Sequence, residues 1–218
     1  MCSTRSLFRS VVPLLACAIF VLPAPSKGQE RTDRQVVLVT PDTGDGRFDA
    51  TREAIAFWNQ TLAELKLRAR LLEVNVLVAP PISRALENYT RQVWLLAGRP
   101  APKDEGPQPP RALLELPGDI VVFLSNQQFF SFAWPFAGRT RYFIGIQTDR
   151  TEPMTYANVT RNVIAHEFGH ALGLEHNGNT PTLMCGPCEH LLYWSEQPLF
   201  FPLTARERGR LQRLHQAE

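Results

Sequence analysis

The eleven residues from His166 to His176 constrain this chain more than any other stretch, reading His166-Glu167-Phe168-Gly169-His170-Ala171-Leu172-Gly173-Leu174-Glu175-His176. On an α-helix, residues four apart lie one turn above each other, so His166 and His170 project from one face at a separation that a single metal ion can bridge. A hydrolytic zinc ion takes three protein ligands and keeps a fourth position open. His176 supplies the third donor if the chain turns back after His170. Gly173 permits that turn, because glycine adopts the left-handed backbone that ends a helix. On the other side of the helix Ile164, Phe168, Ala171 and Leu172 recur at the helical period, an apolar stripe that buries the back of a metal-bearing face.

The pattern H-E-x-x-H-x-x-G-x-x-H, followed by Met184, resembles the metzincin signature with its methionine turn. The wording from Gly169 to His176, and the spacing from His176 to Leu183-Met184, are most similar to the matrixin branch, the catalytic domains of matrix metalloproteinases. The resemblance covers about residues 35–79 and 118–216 and is strongest over residues 163–184. It implies an α+β zincin with a twisted mixed sheet, two long helices above the cleft, and a smaller lower subdomain closed by a C-terminal helix. It also implies a zinc-dependent endopeptidase with one catalytic Zn2+ on His166, His170 and His176, Glu167 as general base, and Met184 as the floor beneath the histidines. The position of Glu167 agrees with that role: it directly follows a ligand on the helix, so its carboxylate leans over the open position and can move a proton there. The rival reading is a non-catalytic zinc-binding scaffold on the same fold. Its mark would be loss of Glu167 or of a ligand, and all four are present.

Several residues depart from the matrixin pattern. No histidine precedes His166, so the second, structural zinc of matrixins is not expected; calcium is possible in such a domain, but no pattern here indicates it. The stretch between the expected leader and Gln35 leaves no room for a prodomain with a zinc-blocking cysteine, so latency of that kind is not expected. After Met184, Cys185-Gly186-Pro187-Cys188 stands where the family often has Tyr-Pro, which leaves Pro187, Leu191, Leu192 and Tyr193 as positional candidates for a specificity-pocket wall. In an oxidising compartment Cys185 and Cys188 favour a local disulfide that stiffens the methionine turn. A thioredoxin-like redox pair, or a second metal shared with His190, are the alternatives; His190 and His215 otherwise read as surface residues.

Residues 1–28 have the pattern of a secretory signal peptide: a basic start at Arg5 and Arg9, an apolar run over residues 11–22, and small residues at Ala24, Ser26 and Gly28. The expected location is therefore secreted or extracytoplasmic, while Leu14-Leu15-Ala16-Cys17 leaves open a lipoprotein anchored through Cys17. Residues 29–218 suffice for one catalytic domain, and a monomer is expected. With 23 basic against 21 acidic residues, nothing in the charge points to nucleic acid or an anionic membrane. The apolar run is also too short to span a membrane comfortably.

Patterning predicts strands over residues 35–40, 71–78 and 118–124, and helices over 49–66, 83–96 and 205–216. The last helix opens with a Thr204/Glu207 capping box and packs Leu211 and Leu214 inward; Asn158 is the expected N-cap of the zinc helix. Residues 129–136 and 141–148 form a hairpin about Ala137-Gly138-Arg139. Its first arm holds the edge position where, by the resemblance, an extended peptide adds to the sheet through main-chain bonds. Phe130, Phe132, Trp134 and Phe136 are candidates either for subsites or for core. Residues 82–118 match no part of the matrixin pattern and read as an inserted helix followed by a proline-rich surface loop over 98–110, either an excursion or an element that gates substrate or docks a partner.

Overall fold

A computed structural model describes residues 33–96, 106–186 and 199–216. In chain order the elements are β1 (Arg34–Thr40), α1 (Gly46–Glu64), β2 (Leu71–Val78), α2 (Ser83–Leu96), α3 (Arg111–Glu115), β3 (Ile120–Leu124), β4 (Phe132–Phe136), β5 (Arg141–Ile146), α4 (Ala157–Ala171) and α5 (Ala205–His215). The strands make one sheet in the order β2-β1-β3-β5-β4. β2, β1, β3 and β5 run parallel; β4 pairs antiparallel with β5, from Phe132 opposite Gly145 to Phe136 opposite Arg141. The mixed sheet, the two long helices α1 and α4 and the C-terminal helix all stand as the sequence predicts.

The two-residue period of the strands sorts their side chains into two cores. Val36, Leu38, Ile120, Val122, Leu124, Ile144 and Ile146 face α1 and α4. Val37, Val39, Val121, Phe123 and Phe143 face the other way, onto Leu86, Tyr89 and Val93 of α2 and Leu113 of α3. The helix over residues 83–96 is thus the second covering layer of the sheet. Parallel strands need that layer, since they leave no face for water. The short α3 was not anticipated: its five residues bury only Leu113.

Two expectations are corrected. Asn158 does not cap α4; the helix begins at Ala157 with Tyr156 at the cap position, making no side-chain cap bond. Asn158 is instead buried, its Oδ1 accepting from the main-chain N–H of Leu199 at 3.1 Å, so a tertiary partner takes the oxygen that would have capped. Leu211 is buried as expected, whereas Leu214 is half exposed. Of the two readings open for Phe132 and Phe136, subsite or core, the fold takes the second: both belong to the α2-side core. The leader, Cys17, most of the loop over 98–110, Pro187, Cys188, His190, Leu191, Leu192 and Tyr193 lie outside the described residues. Among those described, no helix is long and apolar enough to cross a membrane.

Candidate metal centre and active site

α4 carries the first two histidines and ends where the sequence requires. Gly173 has φ +92°, and the N–H groups of Gly173 and Leu174 bond back to the carbonyls of His170 and Gly169, each at 2.9 Å. This paired closure ends the helix and reverses the chain. The reversal brings His176 back to the helix. The Nε2 atoms of His166, His170 and His176 stand 3.0 Å from one another on all three sides.

Such a triangle is of the size at which three imidazole nitrogens would hold one zinc ion at about 2.0–2.1 Å each. The other ring nitrogens fix which tautomer presents that face. Nδ1 of His166 donates to the carbonyl of Leu183 at 2.7 Å, and Nδ1 of His170 to that of Leu174 at 2.9 Å, leaving the Nε2 lone pairs free for a metal. Burial also lowers the pKa of His170, favouring the neutral imidazole a metal needs. The donor set therefore fits zinc. The three histidines are the group of such side chains able to hold an ion among the described residues.

Packing beneath the histidines holds the helix in place. Met184 is fully buried, and its Sδ occupies the space where a Cβ on Gly169 would fall. Trp58 of α1, also fully buried, donates from Nε1 to the carbonyl of Ala165 at 2.8 Å, just before His166.

The loop carrying His176 is tied down by α5. The Asn177 side-chain amide donates to Glu207, whose other oxygen accepts from the Thr204 N–H at 2.7 Å and completes the predicted capping box. Arg210 pairs with Glu175 at 2.8 Å. His215, expected as a surface bystander, donates from Nε2 to the carbonyl of Leu172 at 2.9 Å.

Glu167 is buried beside His166, and desolvation pushes its carboxyl up to about 8, opposed by a hydrogen bond from the main chain of Ala133 on β4. That bond places the acid against the outermost strand of the sheet. A cavity of about 340 Å³ opens next to Glu167 and His166, walled on the α4 side by Val159, Asn162 and Val163 and floored by Leu183 and Phe201. Its sheet-side rim is Phe130, Ser131 and Gln147. Of the four aromatic candidates on the hairpin's first arm, only Phe130 lines this cavity, with 81% of its surface exposed. Trp134 packs against the α2-side core.

The sequence reading missed Asn162. It sits one turn before His166, donates to the carbonyl of Leu199 at 2.7 Å and accepts from the N–H of Phe201 at 2.8 Å, pinning the segment that sets Phe201 against the cavity. Its four-residue spacing from His166 was the available signal.

No family model matches the chain. It is 40% identical over 53 residues to matrix metalloproteinase-26 of Homo sapiens, a match that takes in 24% of this chain and 18% of that protein. The chain thus spans less than a fifth of that relative's length. Among solved structures it is similar to archaemetzincin from Methanopyrus kandleri, at 17% identity over 85% of this chain and 97% of that one, with a TM-score of 0.44. It is similar to metalloproteinase-II from Bacteroides fragilis at 15% identity, 88% and 56% coverage and a TM-score of 0.46. A chain in the structure of a chaperone-substrate complex matches at 18% identity over 71% of this chain and 28% of that chain, with a TM-score of 0.44. The likeness is one of general arrangement. The functional reading rests on the residues of the site.

Proposed function

We propose that this protein is a secreted, zinc-dependent endopeptidase of metzincin type, nearest the matrixins, that cuts extended segments of protein or peptide. The observation that carries the reading is the triangle of Nε2 atoms 3.0 Å apart with a buried carboxylate, Glu167, on the adjoining residue. His166, His170 and His176 would hold zinc, which supplies Lewis acidity toward a water and the peptide carbonyl.

The protein's own groups do the rest. Glu167 takes the proton released on attack and delivers it to the departing amine. β4, paired on one side only, offers its outer main-chain groups to an extended peptide. The cavity beside His166, lined largely by apolar side chains, accepts an apolar substrate side chain next to the cleaved bond. A disulfide between Cys185 and Cys188 stiffens the turn after Met184. The enzyme works as a monomer outside the cytoplasm, released or anchored through Cys17.

The test is cleavage of unfolded casein and a mixed peptide library by the purified protein, beside Glu167→Ala and a chelated sample with zinc restored. Expected is cutting that stops in both controls and returns with zinc. Cutting that survives chelation, or a protein that binds no zinc, overturns the reading.

A further inference from the structure

α2 closes the far face of the sheet, but one of its side chains reaches past the strands to a connecting turn. Glu87 accepts two hydrogen bonds from the turn that follows β3: the Ser125 hydroxyl donates at 2.5 Å to one oxygen and the Asn126 main-chain N–H at 2.9 Å to the other. Ser125 is fully buried, and its Oγ in turn accepts from the N–H of Gln127 at 3.0 Å. From the opposite layer the buried Arg47 of α1 donates to the carbonyls of Ser125 at 2.5 Å and Gln147 at 2.8 Å, while pairing with Asp45. Thr148 then bonds Gln127, at 2.9 Å, and the Gln147 N–H bonds Ser131 Oγ at 3.2 Å. Charged groups from both helical layers therefore meet on one short turn. That turn leads directly into Phe130 and Ser131, the sheet-side rim of the 340 Å³ cavity.

We infer that Glu87 is a positioning residue for the substrate side-chain cavity: by fixing residues 125–127 it holds Phe130 and Ser131 where a peptide side chain enters. α2, the helix without a counterpart in the matrixin pattern, is on this inference part of the specificity apparatus as well as a covering layer. Hydrogen bonds to a carboxylate are the stronger kind, and both oxygens are engaged, so a neutral amide at this position can reproduce only part of the hold. The kinetic consequence rests on the peptidase reading above; the ordering of the turn does not.

The test compares zinc-loaded full-length protein with Glu87→Ala, Glu87→Gln and, as a control elsewhere in the same layer, Glu115→Gln. Hydrogen exchange is followed by fragment, alongside zinc affinity and cleavage of two peptides carrying a large or a small apolar side chain next to the cut. Glu87→Ala is expected to speed exchange in residues 125–131 at least about tenfold, since both of its hydrogen bonds to the turn are lost, with Glu87→Gln between it and the wild type. Its KM for the large-side-chain peptide should rise about threefold to tenfold on the same scale, with kcat and zinc affinity little changed and the small-side-chain peptide less affected.

Unchanged exchange over 125–131, a rise spread evenly through the sheet, or a fall in kcat at constant KM overturns the inference. If Glu87→Ala does not fold, Glu87→Gln carries the same readouts. If the wild type cuts neither peptide, the peptidase reading fails and the exchange result alone decides the role of Glu87.

Discussion

The two faces of the sheet are equally dry, yet they answer to different demands. On the α1/α4 side each residue near the site is held from more than one direction. Gly169 has no room for a side chain because Met184 lies against it, and Trp58 must reach the Ala165 carbonyl. On the α2/α3 side Leu86, Val93 and Leu113 meet Val37, Val121 and Phe143 through apolar contact. Two hydroxyls there, those of Tyr89 and Thr90, are buried with no hydrogen-bond partner among the described residues, and burial pushes the Tyr89 phenol up to about 12. A face that builds chemistry tolerates few residue types at each position. Away from Glu87, the face that covers the sheet tolerates any apolar residue of suitable size.

The largest effect expected from this contrast is on the chemistry. Glu167→Ala should lower cleavage about 10²–10⁴-fold while zinc affinity persists. Loss of zinc binding in that variant would make Glu167 a structural residue and blur the distinction. On the covering face, Leu113→Ala should cost about 2–5 kcal/mol of stability in denaturant melts, with turnover per folded molecule preserved. A parallel loss of kcat would show that the two faces are not separable.

The charge state of Glu167 gives a third comparison, read from melting as a function of pH. Its folded pKa lies above its unfolded value, so the zinc-free native state binds more protons than the unfolded chain between the ordinary carboxylate range and about 8. Stability contributed by the protonated acid is thus present at low pH and lost as pH rises through that window. Glu167→Gln should flatten the curve of the zinc-free protein; an unchanged slope would place the titrating group elsewhere.

Gly169→Ala should destabilise by about 1–3 kcal/mol through overpacking and weaken zinc binding with it. Unchanged zinc affinity would mean that Met184 supports the helix without setting the ligands. The smallest effect is on the covering face: Tyr89→Phe should leave stability unchanged or raise it by about 1 kcal/mol, since it removes a buried hydroxyl that has no partner. A clear loss of stability would show that the apolar part of this face depends on a polar contact at Tyr89 as well.

What the sequence by itself determined is local. The four-residue step between His166 and His170, the reversal at Gly173, the Thr204/Glu207 capping box and the helix over 83–96 all depend on residues within a few positions of one another, where backbone geometry leaves little choice. Tertiary structure decided whatever joins distant segments. Ala133 meets Glu167 only because β4 comes last in the sheet order. Asn158 gave up a cap for a bond to Leu199, and His215 found the Leu172 carbonyl. Phe132 and Phe136 turned toward the core, whereas Phe130, two residues before β4 begins, is free of the strand's pleat and stands at the cavity. Helix spacing and caps are set by covalent proximity, whereas the closing of the sheet and the partner of each buried polar group depend on which segments the whole chain can bury together.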